Sequence, residues 1–589
     1  MNRFLLTISI LLVIYSRFVG INWGLPYPMH PDERNMANAV QSLNCKFSIF
    51  NFQFSSQPLS DCLNPHFFAY GQLPIYTGYA LIETSRFLRL QPLSSPITFD
   101  EATLSLRLIS ALASLLTVWV LYKIIFDFFI NKKNINIILK ITTLLILSFP
   151  PYAVQLAHFG TTESILIMLY SLIIFLSLKL SEKLNTKNIA LIGIITGVSV
   201  GVKTSSLIFA GVPIVVLIFW FVTLFKKNKR KGLLYLVNAA FLTTLLFVIG
   251  YVISSPYNII AFKDFLGSMN YESAVALGKV DVFYTRQFFE TLPYYFQFIK
   301  IFPFALGLPM LIIFVTSYLL LPFKNFKIWV LRLSFLIPFV VLGATYAKWS
   351  RFISLVFPVM SIIVSLGILR IYEVVENRKI ASLIITLLVI ISIIPGLAYM
   401  SIYQNSDVRF KASEWIYKNI ESGETILSET ANVVDIPLAL PERLRITGYK
   451  LQERHFNVIS FDFYNVDTDI RLEKELTNHL QNINYMFVPS RRIFANHTCL
   501  GPSTSDQALN TISYKFDRCE KLEEKYPILN SYYKNLFDRN KYQKIAEFTS
   551  YPKISLFGKT FLEFPDENSE ETWTVFDHPV IRIYKKVKY

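Results

Sequence analysis

FVTLFKKNKRKGLLYLVNAAF, residues 221–241, sets a basic hexapeptide, Lys226 to Lys231, between two apolar runs. The runs cover about residues 206–225 and 233–254, and each approaches the roughly 20 residues that cross about 30 Å of hydrocarbon. Similar runs fall near 4–22, 103–130, 137–157, 161–180, 188–204, 299–321, 328–346, 352–372 and 380–402. They predict about eleven transmembrane helices with soft boundaries. The pair across 188–225 is the least regular, because Gly201, Lys203, Thr204 and Ser205 interrupt it. The chain has 589 residues, 53% hydrophobic and 15% aromatic, with a mean hydropathy of +0.42. That composition points to a multi-span membrane protein.

The hexapeptide also sets the orientation. Cytoplasmic loops of membrane proteins carry an excess of Lys and Arg. Arg3 precedes the first run; Lys132 and Lys133 follow the second, and Lys183 and Lys187 the fourth. Lys324 and Lys327 follow the eighth, and Arg378 and Lys379 the tenth. Every even-numbered exit is therefore basic. The N-terminus is expected in the cytoplasm, with loops 23–102 and 255–298 and the tail 403–589 outside. The net charge of +16 then reflects loops facing anionic lipid headgroups, and nucleic acid is not an expected partner. The first run keeps Arg17 late in its length and shows no small-x-small site before Trp23, so it is expected to remain as a span.

Two domains follow: residues 1–402 in the membrane and 403–589 outside it. KASEWIYKNIESGETILSE reads as a helix, then Gly423, then a strand. RLEKELTNHLQNINYMFVPS repeats that order, and TWTVFDHPVIRIYKK alternates like paired strands around His578-Pro579. An α/β lobe of this size holds its own core. RNMANAVQSL and YGQLPIYTGYALIETSRFLRL in the first long loop read as interfacial amphipathic helices. FKDFLGSMNYESAVALG and YTRQFFETLPYYF supply aromatics suited to the headgroup level in the second. All four cysteines fall in segments expected outside, where Cys45–Cys62 and Cys499–Cys519 are plausible disulfides.

Charged residues gather at the expected outer helix ends. His30, Asp32, Glu33 and Arg34 follow the first run in MHPDERN, and Arg107 opens the second. His158 and Glu163 lie in AHFGTTES, Lys203 between the fifth and sixth runs, and Lys348 and Arg351 in AKWSRF. A carboxylate can take a proton from an incoming hydroxyl. Cations can hold a phosphate and stabilise it as it leaves. The division suits a transferase whose donor is a membrane-held phosphate ester. Each residue also has a plainer reading. Asp32 and Glu33 suit the N-terminus of a helix beginning at Arg34, and Lys203, Lys348 and Arg351 can snorkel to headgroups. His158 can be a satisfied interfacial histidine. A divalent metal on His30, Asp32, His158 and Glu163 has no tight ligand spacing behind it, so no cofactor is expected. A transporter of lipid-linked sugars, with polar groups at the midplane and inverted repeats, and an inert membrane scaffold are the alternatives.

Several stretches together resemble the C-type glycosyltransferases, in particular the protein O-mannosyltransferase and aminoarabinose transferase-like group of phospholipid carrier-dependent enzymes. They are HPDE after the first run, LSLRLISALASLLTVWVLYKI in the second, AHFGTTES, GVSVGVKTSSL, SSPYNIIAFKDF and KWSRFISLVFPV. In the tail ASEWIYKNI, PSRR, KYPILNSYYKNLF, FTSYP and ETWTVFDHP are similar to the extracytoplasmic lobe of that group. The resemblance implies a polytopic α-helical fold with a C-terminal α/β extracytoplasmic domain, in the plasma membrane. It implies an inverting transfer of a sugar from a polyprenyl-phosphate donor to a glycan, lipid or protein hydroxyl. Asp32 would be the base and Glu33 its support. Arg351 and Lys203, with Lys348 and Arg107, would hold the donor phosphate, and His30, His158 and Glu163 would shape the pocket. Adjacent carboxylates, in place of a D-x-D pair, lean away from a metal.

Overall fold

The computed structural model describes residues 2–43, 47–48, 53–54, 62–92, 95–130, 137–429, 435–438, 454–502 and 514–587. Cys45 and the basic pair Lys132 and Lys133 lie outside the described residues. The chain forms two compact units. The first comprises Met1–Ile21, Asp32–Ser273 and Gln297–Met400; the second comprises Asn22–Pro31, Ala274–Phe296 and Ser401–Tyr589.

In the first unit every apolar run is helical, and the protein is a multi-pass membrane protein. Among the described residues seven helices are long and apolar enough to span, or nine if each of two bent pairs counts as one span. Four runs depart from the expected single rods. Phe4–Phe18 and Thr186–Val202 are shorter apolar helices. Ile137–Ser148 and Pro151–His158 meet at 70°, where Pro150 stands as cap and Pro151 opens the next helix. A proline has no N–H to continue the preceding ladder. Gln297–Leu306 and Leu308–Leu320 meet at 111°, across Gly307 with φ +83, a conformation that favours glycine.

Burial separates the lipid-facing helices from the central ones. The apolar window of Ser350–Val374 is 89% buried, whereas that of Lys229–Ser254 is only 11% buried. Water does not drive helices together inside a bilayer, so close backbone approach and polar contacts must do so. Both occur. Gly193, Gly197 and Gly201 line one face of Thr186–Val202, and a Cβ at Gly197 would run into the Phe247 backbone of Lys229–Ser254. Arg17, fully buried, donates to Ser114 Oγ at 2.9 Å and to the Ser148 carbonyl at 2.6 Å, joining three helices.

The second unit is built on a five-stranded sheet. Its strands are β1 (Thr425–Glu429), β2 (Asn457–Phe461), β3 (Tyr485–Val488), β4 (Tyr542–Phe548) and β5 (Ile581–Lys586), in the order β2-β1-β3-β5-β4. β1 runs parallel to β2 and β3, and β5 antiparallel to β3 and β4. Alternate residues feed two cores. Leu427, Met486 and Val488 pack with Leu529, Tyr533 and Leu536. Ile426, Tyr485, Phe487 and Ile583 pack with Val408, Ala412 and Ile416. Helices on both faces make β3 a continuous apolar run, YMFV.

The two helix-then-strand readings hold: Val408–Asn419 precedes β1, and Ile470–Asn482 precedes β3. The paired-strand reading of TWTVFDHPVIRIYKK is corrected in its first half. Glu571–Thr574 is a helical turn, because the Glu570 carboxylate caps it through the Thr572 N–H at 2.9 Å. Cys499 and Cys519 are disulfide-bonded. Pieces of both long loops belong to this unit. Tyr27 meets Phe410 at 5.8 Å, and Gln287 donates to Glu570 at 2.9 Å. The Asn496-His497-Thr498 sequon is wholly buried, with Asn496 accepting from the Gln287 N–H and donating to the Arg492 carbonyl.

Candidate active site

Asp32 and Glu33 stand in the first turn of the helix Pro31–Ser42. This is the position where anions suit a helix, yet each carboxylate also has a distant partner. Glu33 is almost wholly buried. Arg107 Nε and Nη2 reach its two oxygens, each at 2.7 Å, and the Gly160 N–H donates to Oε1 at 2.7 Å. Arg107 Nη1 donates to the Ile21 carbonyl at 2.8 Å. Its helix, Phe99–Phe128, is fixed at the start by a capping box of Thr98 and Glu101. Glu101 also holds Arg86 of the loop helix Gln72–Leu88 through two hydrogen bonds, at 3.0 and 2.7 Å. Gly160 is required by closeness: a Cβ there would stand 2.8 Å from Leu106 Cβ and 2.9 Å from Glu33 Oε1.

Asp32 makes an ion pair with Arg351, and each side chain keeps about a fifth of its surface open, 20% and 21%. Arg351 lies in the short helix Ser350–Ile353, with its guanidinium 4.9 Å from the Trp349 ring and 5.9 Å from the Phe352 ring. Lys203 Nζ stands 5.3 Å from that same Phe352 ring, 5.2 Å from Tyr70 and 3.3 Å from Glu163 Oε1. One aromatic ring therefore has a cation of each turn against it. Lys203 is the extended residue that ends Thr186–Val202. Its backbone is braced nearby: the Gly71 N–H donates to the Val202 carbonyl at 2.8 Å, and Ser255 Oγ to the Gly201 carbonyl at 2.7 Å. Gln72 completes the clamp through Asn258 at 3.0 Å and the Tyr257 N–H at 2.9 Å.

The structure thus brings together Asp32 with Arg351, Glu33 with Arg107, and Glu163 with Lys203. Arg107, expected among the phosphate-holding cations, is instead enclosed by Glu33. Lys348 is nearly buried; its Nζ donates to the Tyr346 carbonyl at 3.0 Å, and burial pulls its ammonium down to about 8. His158 is fully buried, with both ring nitrogens 2.8 Å from carbonyls, those of Val154 and Val19. That is the arrangement of a structural tie and not of a pocket wall. His30 falls in the second unit, its ring 4.2 Å from Phe576. Among the described residues no three His, Cys, Asp or Glu side chains are gathered as metal ligands. Two participants were not read from the sequence. Glu272, on Phe262–Ala276, lies within electrostatic reach of Lys203. The Gly160 N–H was signalled only by a glycine between His158 and Glu163.

The first unit is a bundle of apolar helices with charges paired at helix ends, and the second holds an α/β lobe. Residues 90–251, about a quarter of the chain, match the profile of a family described as dolichyl-phosphate-mannose-protein mannosyltransferase. This segment contains Arg107, Gly160, Glu163 and Lys203, and it bears out the family resemblance seen in the motifs. No curated protein matches the chain. Among solved structures, the chain is similar to the oligosaccharyltransferase of Archaeoglobus fulgidus in the apo form, at 11% identity and a TM-score of 0.48. That likeness covers 84% of this chain and 71% of that one. ArnT from Cupriavidus metallidurans bound to undecaprenyl phosphate is similar at 12% identity and a TM-score of 0.44, covering 82% of this chain and 92% of that one. The arabinofuranosyltransferase AftD from Mycobacteria is similar at 12% identity and a TM-score of 0.38, covering 99% of this chain and 41% of that one.

Proposed function

We propose that this protein is an inverting glycosyltransferase. It moves a sugar from a polyprenyl-phosphate donor to an acceptor hydroxyl on the non-cytoplasmic face of the membrane. The observation that carries the reading is the meeting of Asp32 with Arg351, beside Lys203, at partly open helix ends. One side of this cluster suits a hydroxyl and the other a phosphate. The acceptor oxygen attacks the anomeric carbon, its proton passes to the Asp32 carboxylate, and the bond to the phosphate oxygen breaks. The electron pair leaves with the polyprenyl phosphate, whose charge Arg351 and Lys203 receive. Glu33 holds the helix that presents Asp32, and Glu163 pairs with Lys203 at 3.3 Å before a donor is seated. Lys348 adds a third cation near Arg351 in sequence. The profile matched by residues 90–251 supports this class of chemistry.

No divalent metal enters the proposed chemistry, so a chelator should leave transfer unchanged. The deciding experiment incubates the purified protein with a panel of polyprenyl-phosphate sugars and candidate hydroxyl acceptors, and follows release of the lipid phosphate. Release by the native chain and none by Asp32→Asn is expected. Equal release by both removes Asp32 as the base, and acceptor-independent silence across the whole panel removes the transferase reading.

A further inference from the structure

The two cations assigned to the donor phosphate are both occupied by carboxylates. Arg351 is paired with Asp32, and Lys203 with Glu163 at 3.3 Å. These pairs differ from the third acid–base contact of the unit. Glu33 is held by two Arg107 nitrogens and one backbone N–H, with 2% and 1% of the two side chains exposed. By contrast, Asp32 and Arg351 keep 20% and 21% exposed, and Lys203 keeps 17% against 5% for Glu163. An ion pair is weakened where water competes for at least one open partner, as it does at Asp32, Arg351 and Lys203. An anion that offers more oxygens, on a lipid already held in the bilayer, competes better than water.

We propose that Asp32–Arg351 and Glu163–Lys203 form a resting latch that the donor's phosphate opens. The phosphate takes Arg351 and Lys203, which both stand against the Phe352 ring, and displaces both carboxylates. Asp32 then has its oxygens free for the acceptor hydroxyl only when a donor is seated. This ordering keeps the base capped in the empty site, where an activated hydroxyl would have no sugar to attack. The same exchange clears the product. After transfer Asp32 carries the acceptor's proton and the lipid phosphate holds both cations. Loss of that proton restores a carboxylate that competes again for Arg351, and the lipid phosphate leaves. The inference rests on the phosphate role proposed above for Arg351 and Lys203.

The test measures binding of undecaprenyl phosphate, and of undecaprenol as the phosphate-free control, to the purified full chain in nanodiscs. Removing the competing charge should tighten undecaprenyl phosphate binding by about 2- to 5-fold in Asp32→Asn, and likewise in Glu163→Gln. Arg351→Ala should weaken it, and undecaprenol should bind all variants alike. Arg351→Ala weakened with both acid variants unchanged or weaker overturns the latch and leaves the phosphate reading standing. Arg351→Ala unchanged overturns the phosphate reading itself. An equal gain for undecaprenol in the acid variants also overturns the latch, since the gain would then not come from the phosphate. Glu163→Gln carries the same test if Asp32→Asn fails to fold.

Discussion

Glu33 and Arg107, 74 positions apart, share two hydrogen bonds of 2.7 Å in a setting from which solvent is excluded. Their neighbours Asp32 and Arg351 meet where solvent is admitted. Two adjacent acids thus have opposite environments. One fixes the turn, and the other is presented by it.

Removing one partner of the enclosed pair strands a charge. Arg107→Ala should destabilise the chain by about 3–5 kcal/mol, read as a fall in melting temperature in detergent. Arg107→Lys should not rescue it, since an ammonium cannot make the planar two-point contact. A lysine variant as stable as the native chain would show that the fork geometry is unimportant.

Gly160→Ala places a methyl group against Leu106 and Glu33. Forced overpacking of this kind costs about 1–3 kcal/mol. Transfer activity should fall without any weakening of donor binding, because the displaced group supports Asp32 and not the cations. Native activity in this variant would separate Glu33 from the presentation of Asp32.

Asp32→Asn keeps the size and polarity of the side chain but cannot take a proton. Turnover should fall by about 100-fold or more, the usual contribution of a general base, while the protein still accumulates and melts as the native chain does. Surviving turnover would move the base elsewhere.

The lobe should lose stability as pH rises. Burial pushes the Glu429 carboxyl up to about 8, against the Tyr533 and Tyr532 hydroxyls that lower it. The folded state then keeps a proton that the unfolded chain sheds near pH ~4.3, so stability declines from there to about 8. Burial pulls the His578 imidazole down, but the carboxylates of Asp566 and Asp577, at 2.9 and 2.6 Å, outweigh it and hold it up at about 10. Its contribution is complete below the unfolded value of ~6.5 and is lost as pH climbs through about 10. Glu429→Gln should flatten the lower part of a melting curve taken against pH in the full chain. A native melting temperature that rises through the lower window would contradict a protonated Glu429.

Reduction of Cys499–Cys519 releases a loop closed over a separation of 20 residues. Chain entropy puts the loss near 3 kcal/mol, and the Cys499→Ser/Cys519→Ser double variant should show it as a lower melting temperature. No shift would mean that the lobe already restrains that loop.

Much of this was legible in the sequence, for definite reasons. Apolar length announces helices in a membrane, and the charges clustered at their ends marked the residues that pair as Asp32–Arg351 and Glu163–Lys203. Helix-then-strand order announced the lobe around β1 and β3. What stayed hidden depends on partners far along the chain. Nothing near Arg107 says that Glu33 encloses it, and nothing near His158 says that two carbonyls claim its nitrogens. TWTVFD alternates like a strand, yet one cap from Glu570 turns it into helix. The bend at Gly307 sits inside an apolar run whose hydropathy is blind to direction. The joining of loop segments 22–31 and 274–296 to the tail leaves no mark on either loop.

That joining restricts how the chain can be threaded. A folded aqueous lobe assembled from residues 22–31, 274–296 and 401–589 must have all three pieces on one side of the bilayer. The number of crossings between successive pieces is therefore even. From 297 to 400 three straight helices are long enough, so the pair bent at Gly307 must supply a fourth crossing despite its 111° angle. Among the described residues between 32 and 273 four straight helices qualify, so on that count the pair bent at Pro150 and the short Thr186–Val202 either both traverse the membrane or both turn back. Parity thus binds the fates of two segments whose ends, at His158 and Lys203, lie on either side of Glu163 in the sequence.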